Sequence, residues 1–307
     1  MSDLRVTAAG IQFQNPIALA SGTAAFGRAL AGVVNLDALG AIVTKAVSLE
    51  PRHGNAAPRV AEFEGGMLNA IGLANPGVEV VRREDLPWLA AHVERARVIV
   101  NVVGSRTEDF AEVVRRLDDC AVISAFELNV SCPNVRAGGI EFSADSASLT
   151  AVVAGARAAT RRPLFVKLSP VLADIGASAA LAVDAGADGI TVINTLPGLV
   201  VDVQSGRPRS GFGSGGTSGP GLLPVGVLAT HRVRRAVSVP VIGVGGVASA
   251  TDALQYMIAG ASLVAIGTAS LRDPRTAERI VRDLDRWCDA NRVSAIQDIV
   301  GTLEWPE

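Results

Sequence analysis

The sequence predicts an α/β fold: a (β/α)8 TIM barrel with a short N-terminal β-hairpin and long active-site loops. Short apolar runs alternate with helical patterns along the chain, and eight such runs fit into 307 residues. The Ala-Gly-Ala phrases at 185–187 and 259–261 are typical of helix ends that turn into the next strand. Because no Pro/Ser-rich linker divides the chain, residues 1–307 are predicted to form one domain.

The elements follow one another in the order that a barrel requires. A hairpin is predicted at 4–14, and the eight barrel strands at 17–21, 41–47, 97–103, 125–131, 164–169, 189–195, 239–245 and 263–267. Helical patterns separate most of them, for example at 107–117, 173–185, 225–236 and 250–258. Two connections, 48–76 and 196–224, are unusually long, and loops of this length are either functional or disordered.

Composition excludes several classes of function. A formal charge of -2 gives no polyelectrolyte signal, so nucleic acid and anionic membranes are not expected partners. The chain has no run of about 18 apolar residues and no signal-peptide pattern, which predicts a cytoplasmic protein. Its three cysteines are unclustered, so neither a disulfide framework, a zinc site nor a four-cysteine iron–sulfur cluster is expected, and no metal site is predicted.

The segment 127–134 is a strand that carries polar groups to its end. Alternation places Glu127, Asn129 and Ser131 on one face, and Pro133 ends the ladder directly after Cys132. A cysteine at the carboxyl end of a strand is well placed to meet a polar ligand. The alternative is that Cys132 is a small buried hydrophobe, since free cysteine is often buried. This segment alone leaves both interpretations open.

Polar residues also fall in the last part of five separate apolar runs: Lys45, Asn101, Asn129, Lys167 and Asn194. Buried parallel strands are normally almost continuous Val, Ile and Leu. In a barrel the carboxyl ends of all strands meet on one face, where barrel enzymes have their active sites. One lysine alone could simply reach solvent, but two lysines at equivalent positions indicate an anionic ligand.

Glycines after the seventh and eighth strands predict a phosphate site. Gly245 and Gly246 follow one strand, and Gly267 and Thr268 follow the other, each leading into a helix amino terminus. Segment 243–248 also fits the dinucleotide pattern G-x-G-x-x-A. That pattern should open the first βα unit and be followed by an acidic residue, which is not the case here. A phosphate-bearing cofactor or substrate is therefore favoured.

These motifs together resemble the dihydroorotate dehydrogenases, and the resemblance spans nearly the whole chain. The ordered matches are Ser21-Gly22, Thr44-Lys45, the segment 67–73, Asn129-Val130-Ser131-Cys132-Pro133-Asn134, the segment 166–170, Asn194-Thr195, Ser218-Gly219-Pro220, Gly245-Gly246 and Gly267-Thr268. The phrase Asn-Ala-Ile-Gly-Leu at 69–73 and the cysteine at 132 resemble class 1B, the FMN-containing catalytic subunit of an NAD-linked enzyme.

The resemblance implies oxidation of (S)-dihydroorotate to orotate in pyrimidine biosynthesis, with FMN taking the hydride and Cys132 the proton. It implies FMN contacts from Ser21, Lys45, Ala46, Asn101, Asn129, Lys167, Ile193, Gly219, Gly245, Gly246, Gly267 and Thr268. Substrate contacts are implied for Lys45, Asn69, Ala70, Ile71, Gly72, Leu73, Asn129, Asn194 and Thr195. It further implies a homodimer that associates with a subunit carrying FAD and a [2Fe–2S] cluster.

Several alternatives remain. The chain could be a class 1A-like, fumarate-linked enzyme, a paralogue acting on another pyrimidine, or a flavin-binding assembly subunit without turnover. A flavin-free lyase or isomerase that grips a substrate phosphate would explain the glycines, but not the cysteine or both lysines.

Overall fold

The computed structural model of the protein describes residues 2–131 and 142–306. Within these residues, eight parallel strands close into a barrel, each hydrogen-bonded to the next along the chain and the last to the first. We call them barrel strands 1 to 8: Ile17–Leu19, Ala41–Val43, Arg97–Val102, Ile123–Asn129, Leu164–Lys167, Gly189–Val192, Val241–Val244 and Leu263–Ile266. The predicted TIM barrel is confirmed.

The strands differ from the predicted ranges mainly at their carboxyl ends, where loop geometry begins. Barrel strand 2 was predicted to reach residue 47, but its regular ladder ends at Val43. The Lys45 amide donates to the Ala25 carbonyl at 2.8 Å, so the chain has left the barrel there. Val47 returns to form a single bridge with Val102.

The predicted N-terminal hairpin is confirmed as a two-stranded antiparallel ribbon, Val6–Ala8 paired with Ile11–Phe13. Ala9 and Gly10 form its turn, both at positive φ, as the favoured two-residue hairpin turns require. The Gln12 carbonyl accepts a hydrogen bond of 2.9 Å from Arg97, the first residue of barrel strand 3. The ribbon therefore lies at the amino-terminal end of the barrel.

The helices pack apolar stripes against the barrel, as in Thr107–Leu117, which buries Phe110, Val113, Val114 and Leu117. In the described residues the α-helices are Val78–Val80, Leu86–His92, Thr107–Leu117, Ser146–Ala159, Ile175–Asp184, Leu223–Ala236, Ala250–Ala259, Thr268–Arg272 and Thr276–Asn291. A π-helical turn, Val81–Asp85, joins the first two, and 3-10 turns occur at Leu36–Ala38, Phe142–Ala144, Pro220–Leu222 and Ile296–Ile299. None of these helices combines the length and apolar character needed to cross a membrane.

The two long connections are ordered, and they pair with each other. They form a four-stranded antiparallel sheet in the order Leu196–Gly198, Gly215–Ser218, Gly66–Asn69 and Val60–Phe63, which we call the cap sheet. A two-stranded ribbon, Val201–Asp202 with Arg207–Pro208, extends from it. Composition alone left open whether 196–224 is functional or disordered, and its strands in the cap sheet argue against disorder.

Candidate active site

The predicted polar residues lie at one end of the barrel. Asn129 and Lys167 end barrel strands 4 and 5 and are paired in register, and Lys167 is in turn opposite Thr191 of barrel strand 6. Asn101 is the next-to-last residue of barrel strand 3, and Asn194 follows barrel strand 6 by two residues. We call this carboxyl end of the barrel the mouth. Its side chains are those that a ligand on the carboxyl face would meet.

Two carboxamides of the mouth are fixed by one hydrogen-bond cluster. Asn194 Nδ2 donates to Ser131 Oγ at 2.9 Å and to Asn129 Oδ1 at 3.2 Å, reaching over the end of barrel strand 5. The Thr195 amide donates to Asn194 Oδ1 at 2.8 Å, which sets the orientation of that carboxamide. Ser131, which the sequence interpretation did not assign to the site, holds the pair together. The cluster offers oriented amide groups to a polar ring.

The cap sheet brings Asn69 to the same place. Asn69 Nδ2 donates to the Gly216 carbonyl at 3.1 Å. Gly216 lies against Thr195, because a Cβ at position 216 would clash with Thr195 Oγ1. Asn69 and Thr195, although 126 residues apart in the sequence, therefore lie side by side above the mouth.

The remaining residues of the predicted substrate segment lie against the loop that precedes the cap sheet. Ala70 is buried, and the Ile71 carbonyl accepts from the Asn55 amide at 3.1 Å. Gly72 and Leu73 both adopt positive φ, at 71° and 57°. Their backbone forms a tight turn over the preceding loop. Substrate contacts of the segment 70–73 remain a prediction.

Lys45 forms a cationic pair with a residue that the sequence interpretation missed. Burial, followed by the charge of Arg59, lowers the pKa of Lys45. Arg59 is held in place by hydrogen bonds of 2.6 Å to the Asn55 carbonyl and 2.8 Å to the His53 carbonyl. In residues 2–131 and 142–306, neither Lys45 nor Arg59 forms an ion pair with a carboxylate. Two neighbouring cations of this kind favour an anionic ligand. Only the fold reveals this pair, because Arg59 belongs to a long loop with no local pattern.

Lys167 is the second lysine of the mouth and is only 7% exposed. In residues 2–131 and 142–306 it forms no ion pair with a carboxylate, whereas most of the ion pairs that do occur join exposed arginines to acids. A buried ammonium without a partner is costly. Negative charge on a bound ligand would remove that cost.

Asn101 contacts a buried acid. Asn101 Nδ2 donates to Glu127 Oε1 at 2.6 Å, and both side chains are almost completely buried. The Asn101 amide donates to Thr44 Oγ1 at 3.2 Å. Glu127 was visible in the sequence as a polar residue on the face of Asn129, but it was not assigned a role.

The glycines after barrel strand 7 form a cradle of backbone. Gly245 and Gly246 adopt φ of 126° and 76°. A Cβ at Gly246 would clash with the Leu223 backbone nitrogen, and one at Gly245 would lie 3.5 Å from Ile193 Cγ1. Torsion and space both require glycine at position 246, and the torsion alone favours glycine at position 245. The absence of side chains lets an anion approach the backbone N–H groups.

The helix amino termini around this cradle correct one expectation. The helix Ala250–Ala259 was expected to favour an anion, but Ser249 and Asp252 form a capping box that already satisfies its first turn. By contrast, the helices that begin at Leu223 and Thr268 have no side-chain cap. The Leu223 amide, which lies against Gly246, donates to the Pro220 carbonyl, so the glycine cradle is the part of this loop best suited to an anion.

The other predicted phosphate residues flank the cradle. Thr268 Oγ1 donates to Ser218 Oγ at 2.8 Å, and the adjacent Gly219 has φ of 120°. This bond ties the cap sheet to the end of barrel strand 8. Ser21 follows barrel strand 1 on the same side, where a Cβ at Gly267 would lie 3.8 Å from that of Ala20. Ala46 is buried beside Lys45.

Tyr256, the single tyrosine of the chain, supports the cradle from below. Its hydroxyl donates to the Gly245 carbonyl at 2.7 Å, and burial raises the pKa of Tyr256. Gly226 and Gly243 leave room for its ring, because a Cβ at either position would clash with it. No local sequence signal indicated this role.

Cys132, the predicted catalytic residue, lies outside the described residues. Ser131, directly before it, is described and belongs to the amide cluster. The role of Cys132 stays a prediction from the sequence.

Among the described residues, the carboxyl end of this TIM barrel carries two lysines without a carboxylate partner, an amide cluster and a glycine cradle. Barrel enzymes have their active sites at this end. The family model described as Dihydroorotate dehydrogenase matches residues 3–287. The chain belongs to this family.

The relatives and a solved structure agree with that assignment. The chain is 46% identical to the dihydroorotate dehydrogenase B (NAD(+)) catalytic subunit of Pelobacter propionicus, over 98% of this chain and 99% of that protein. It is 45% identical to a putative dihydroorotate dehydrogenase A (fumarate) of Solibacter usitatus, with the same coverage. The crystal structure of the Eimeria tenella enzyme with ferulenol superposes with a TM-score of 0.84 at 24% identity, covering 98% of this chain and 88% of that one, which supports the fold.

Proposed function

We propose that this chain is the catalytic subunit of an NAD-linked dihydroorotate dehydrogenase, which oxidises (S)-dihydroorotate to orotate in pyrimidine biosynthesis. The observation that carries the proposal is the mouth itself. Lys167 is in register with Asn129, and Lys45 follows barrel strand 2 at the same end of the barrel as the amides of Asn69 and Asn194. A pyrimidine carboxylate combines the negative charge and the ring amide edges that such groups bind.

The protein residues would orient the substrate and remove its C5 proton. Lys45, with Arg59 behind it, is suited to bind the carboxylate. The carboxamides of Asn129 and Asn194 are held by mutual hydrogen bonds and are suited to the ring amide edges. Cys132 would accept the proton as thiolate, and general-base assistance of this kind contributes about 10²–10⁴ in rate.

Family membership supports a flavin cofactor, and we propose FMN. When bound, FMN supplies the hydride acceptor. The glycine cradle, Gly219 and Thr268 would hold its phosphate, and the mouth residues Ser21, Ala46, Asn101, Lys167 and Ile193 would surround its ring. The cradle fits a phosphate because its glycines exclude side chains, and buried Lys167 fits a ring that becomes negatively charged on reduction.

A separate electron-transfer subunit is the expected partner, since the B-type relatives are named catalytic subunits of NAD(+)-linked enzymes. We propose that this partner carries FAD and a [2Fe–2S] cluster and binds a homodimer of the present chain. The three cysteines of the chain support this, because they cannot supply a four-cysteine cluster.

The Solibacter relative supports a second candidate, a fumarate-linked enzyme, at nearly the same identity. Both candidates share the dihydroorotate half-reaction and differ only in the electron acceptor. Turnover of the isolated chain with fumarate separates them, because an NAD-linked catalytic subunit should show little of it.

The test is orotate formation by the purified chain with an artificial electron acceptor. We expect bound FMN, identified by chromatography after denaturation, and orotate production from dihydroorotate. Dihydrouracil, which lacks the carboxylate, should react poorly if the lysines recognise that group. A flavin-free protein, or equal turnover of dihydrouracil, would contradict the proposal.

A further inference from the structure

Glu127 and Asn101 form a buried pair that the proposed chemistry leaves unexplained. Asn101 Nδ2 donates to Glu127 Oε1 at 2.6 Å, and the two residues are 0% and 1% exposed. A carboxylate only accepts hydrogen bonds, so it holds the NH₂ side of the Asn101 carboxamide toward itself. An acid buried in this way costs stability, and such a cost is common at sites that orient a ligand.

The other side of the carboxamide is left unsatisfied. Asn101 Oδ1 is buried and has no hydrogen-bond donor among the described residues. The Asn101 backbone is fixed as well, because its amide donates to Thr44 Oγ1 at 3.2 Å. Buried polar atoms nearly always have a partner, so an orphaned acceptor that cannot rotate away indicates a missing donor.

The pair faces the interior of the barrel below the mouth. Asn129 receives a bond from Asn194 over barrel strand 5, so the Asn129 side chain is on the inner side. Glu127 lies two residues earlier on the same strand face and is in register with Asn101. Asn101 Oδ1 therefore belongs to the inner wall at the level where the mouth closes.

We propose that Glu127 is a positioning residue that fixes the Asn101 carboxamide so that Oδ1 accepts a hydrogen bond from a ring N–H of the bound flavin. This inference rests on the proposed function, since it requires a flavin in the mouth. It adds a specific role for Glu127: the acid contacts Asn101, and only Asn101 contacts the ring. A carboxamide free to flip would offer the wrong polarity half of the time.

The test exchanges the chemistry of the two positions. Deflavinated protein is titrated with FMN, and binding is measured by the quenching of FMN fluorescence. The thermal midpoint of unfolding of the FMN-free protein is recorded for each variant. Glu127→Gln permits the flipped carboxamide, and we expect it to weaken FMN binding about tenfold. Asn101→Asp opposes two carboxylates and should weaken binding at least as much.

The double variant Glu127→Gln/Asn101→Asp decides the question. The new amide at position 127 can donate to one oxygen of the new carboxylate at position 101. The other carboxylate oxygen then remains as an acceptor for the flavin ring, and the net charge of the pair is unchanged. We expect FMN affinity to return to within about threefold of the parent, because the acceptor is restored. Double-variant binding no tighter than that of Glu127→Gln would overturn the proposal.

A second cycle separates positioning from general support of the fold. In an Asn101→Ala background, Glu127→Gln should have no further effect on FMN affinity, because there is no carboxamide left to orient. An equal loss in both backgrounds, accompanied by a lower thermal midpoint, would make Glu127 structural and the proposal wrong. Failure of the parent chain to bind FMN would instead contradict the proposed function.

Discussion

At the scale of single residues, the general base is the most consequential assignment. We predict that Cys132→Ala binds FMN but loses at least about a hundredfold in the rate of flavin reduction by dihydroorotate, because no other group takes the proton. Cys132→Ser should retain part of the activity, with its pH optimum moved upward, since a hydroxyl is a much weaker acid. Rapid-mixing absorbance measures both.

Cys120→Ala is the matched control for this experiment. Cys120 follows the helix Thr107–Leu117, away from the mouth, and burial raises the pKa of its thiol. We expect the control to reduce at the parental rate. Flavin reduction by Cys132→Ala within a few-fold of the parent would refute the assignment of the base.

Lys45 should give orotate binding a characteristic pH dependence. Burial and the Arg59 charge lower its pKa in the free protein, and a bound carboxylate would raise it again. Above the pKa of free Lys45, binding must take up a proton, so the Kd of orotate should rise by up to tenfold per pH unit. Because the pKa is lowered, this rise begins below pH 10.5, the ordinary value for lysine.

Isothermal titration across alkaline pH checks this prediction, with two variants that isolate Lys45. Lys45→Arg should postpone the loss to higher pH, because guanidinium stays charged. Lys45→Met should bind orotate weakly at every pH and show only the pH dependence of the ligand itself. Identical pH profiles for the parent and Lys45→Met would rule out a contact between Lys45 and the carboxylate.

At the scale of elements, the loop after barrel strand 7 depends on Gly246. We predict that Gly246→Ala weakens FMN binding at least tenfold, since a Cβ there clashes with the Leu223 nitrogen at φ 76°. Gly246→Asp should be worse, because it adds a carboxylate beside the phosphate. Equilibrium dialysis with FMN measures the affinities.

Gly221→Ala is the control for the glycine cradle. It lies on the neighbouring 3-10 turn Pro220–Leu222, where an added Cβ would meet no atom within 4 Å. We expect parental FMN affinity for this variant. Equal losses at 221 and 246 would indicate general loop damage rather than a phosphate cradle at Gly246.

The elements also show what the sequence could and could not predict. The barrel strands were predictable because each is a short, mainly apolar run and helical patterns separate most of them, and their shared carboxyl face then located Lys45, Asn129 and Lys167. The cap sheet was not predictable, because its central strands pair residues near 68 with residues near 217. Such pairing depends on distant glycines that permit close backbone approach rather than on a local pattern.

The site residues that the sequence did not reveal also depend on contacts between distant elements. Ser218 reaches the site through the cap sheet, Arg59 from the loop directly before it, and Tyr256 reaches Gly245 from a helix. Glu127 was visible as a polar residue on a strand, but its partner Asn101 is on a different strand, and only the register joins them. The helix cap at Ser249 and Asp252 was readable from the sequence, yet its consequence for anion binding required the structure.

At the scale of the whole molecule, the chain should not complete an NAD-linked reaction alone. We predict that the isolated protein reduces artificial acceptors with dihydroorotate but reduces NAD⁺ at least about a hundredfold more slowly. Its three cysteines cannot hold a four-cysteine cluster, and its G-x-G-x-x-A segment lacks the position and the acidic residue of a dinucleotide site. Co-expression with an iron–sulfur flavoprotein should restore NAD⁺ reduction, measured by NADH absorbance. Fast NAD⁺ reduction by the chain alone would contradict the two-subunit account.

Anaerobic titration of the purified flavoprotein with dihydroorotate tests the central claim most directly. We predict that the flavin absorbance bleaches to an end point at about one equivalent of dihydroorotate per FMN, with orotate as the product, since dihydroorotate and FMN each exchange two electrons. Persistent flavin absorbance at a large excess of dihydroorotate, in a protein that dithionite does bleach, would contradict it.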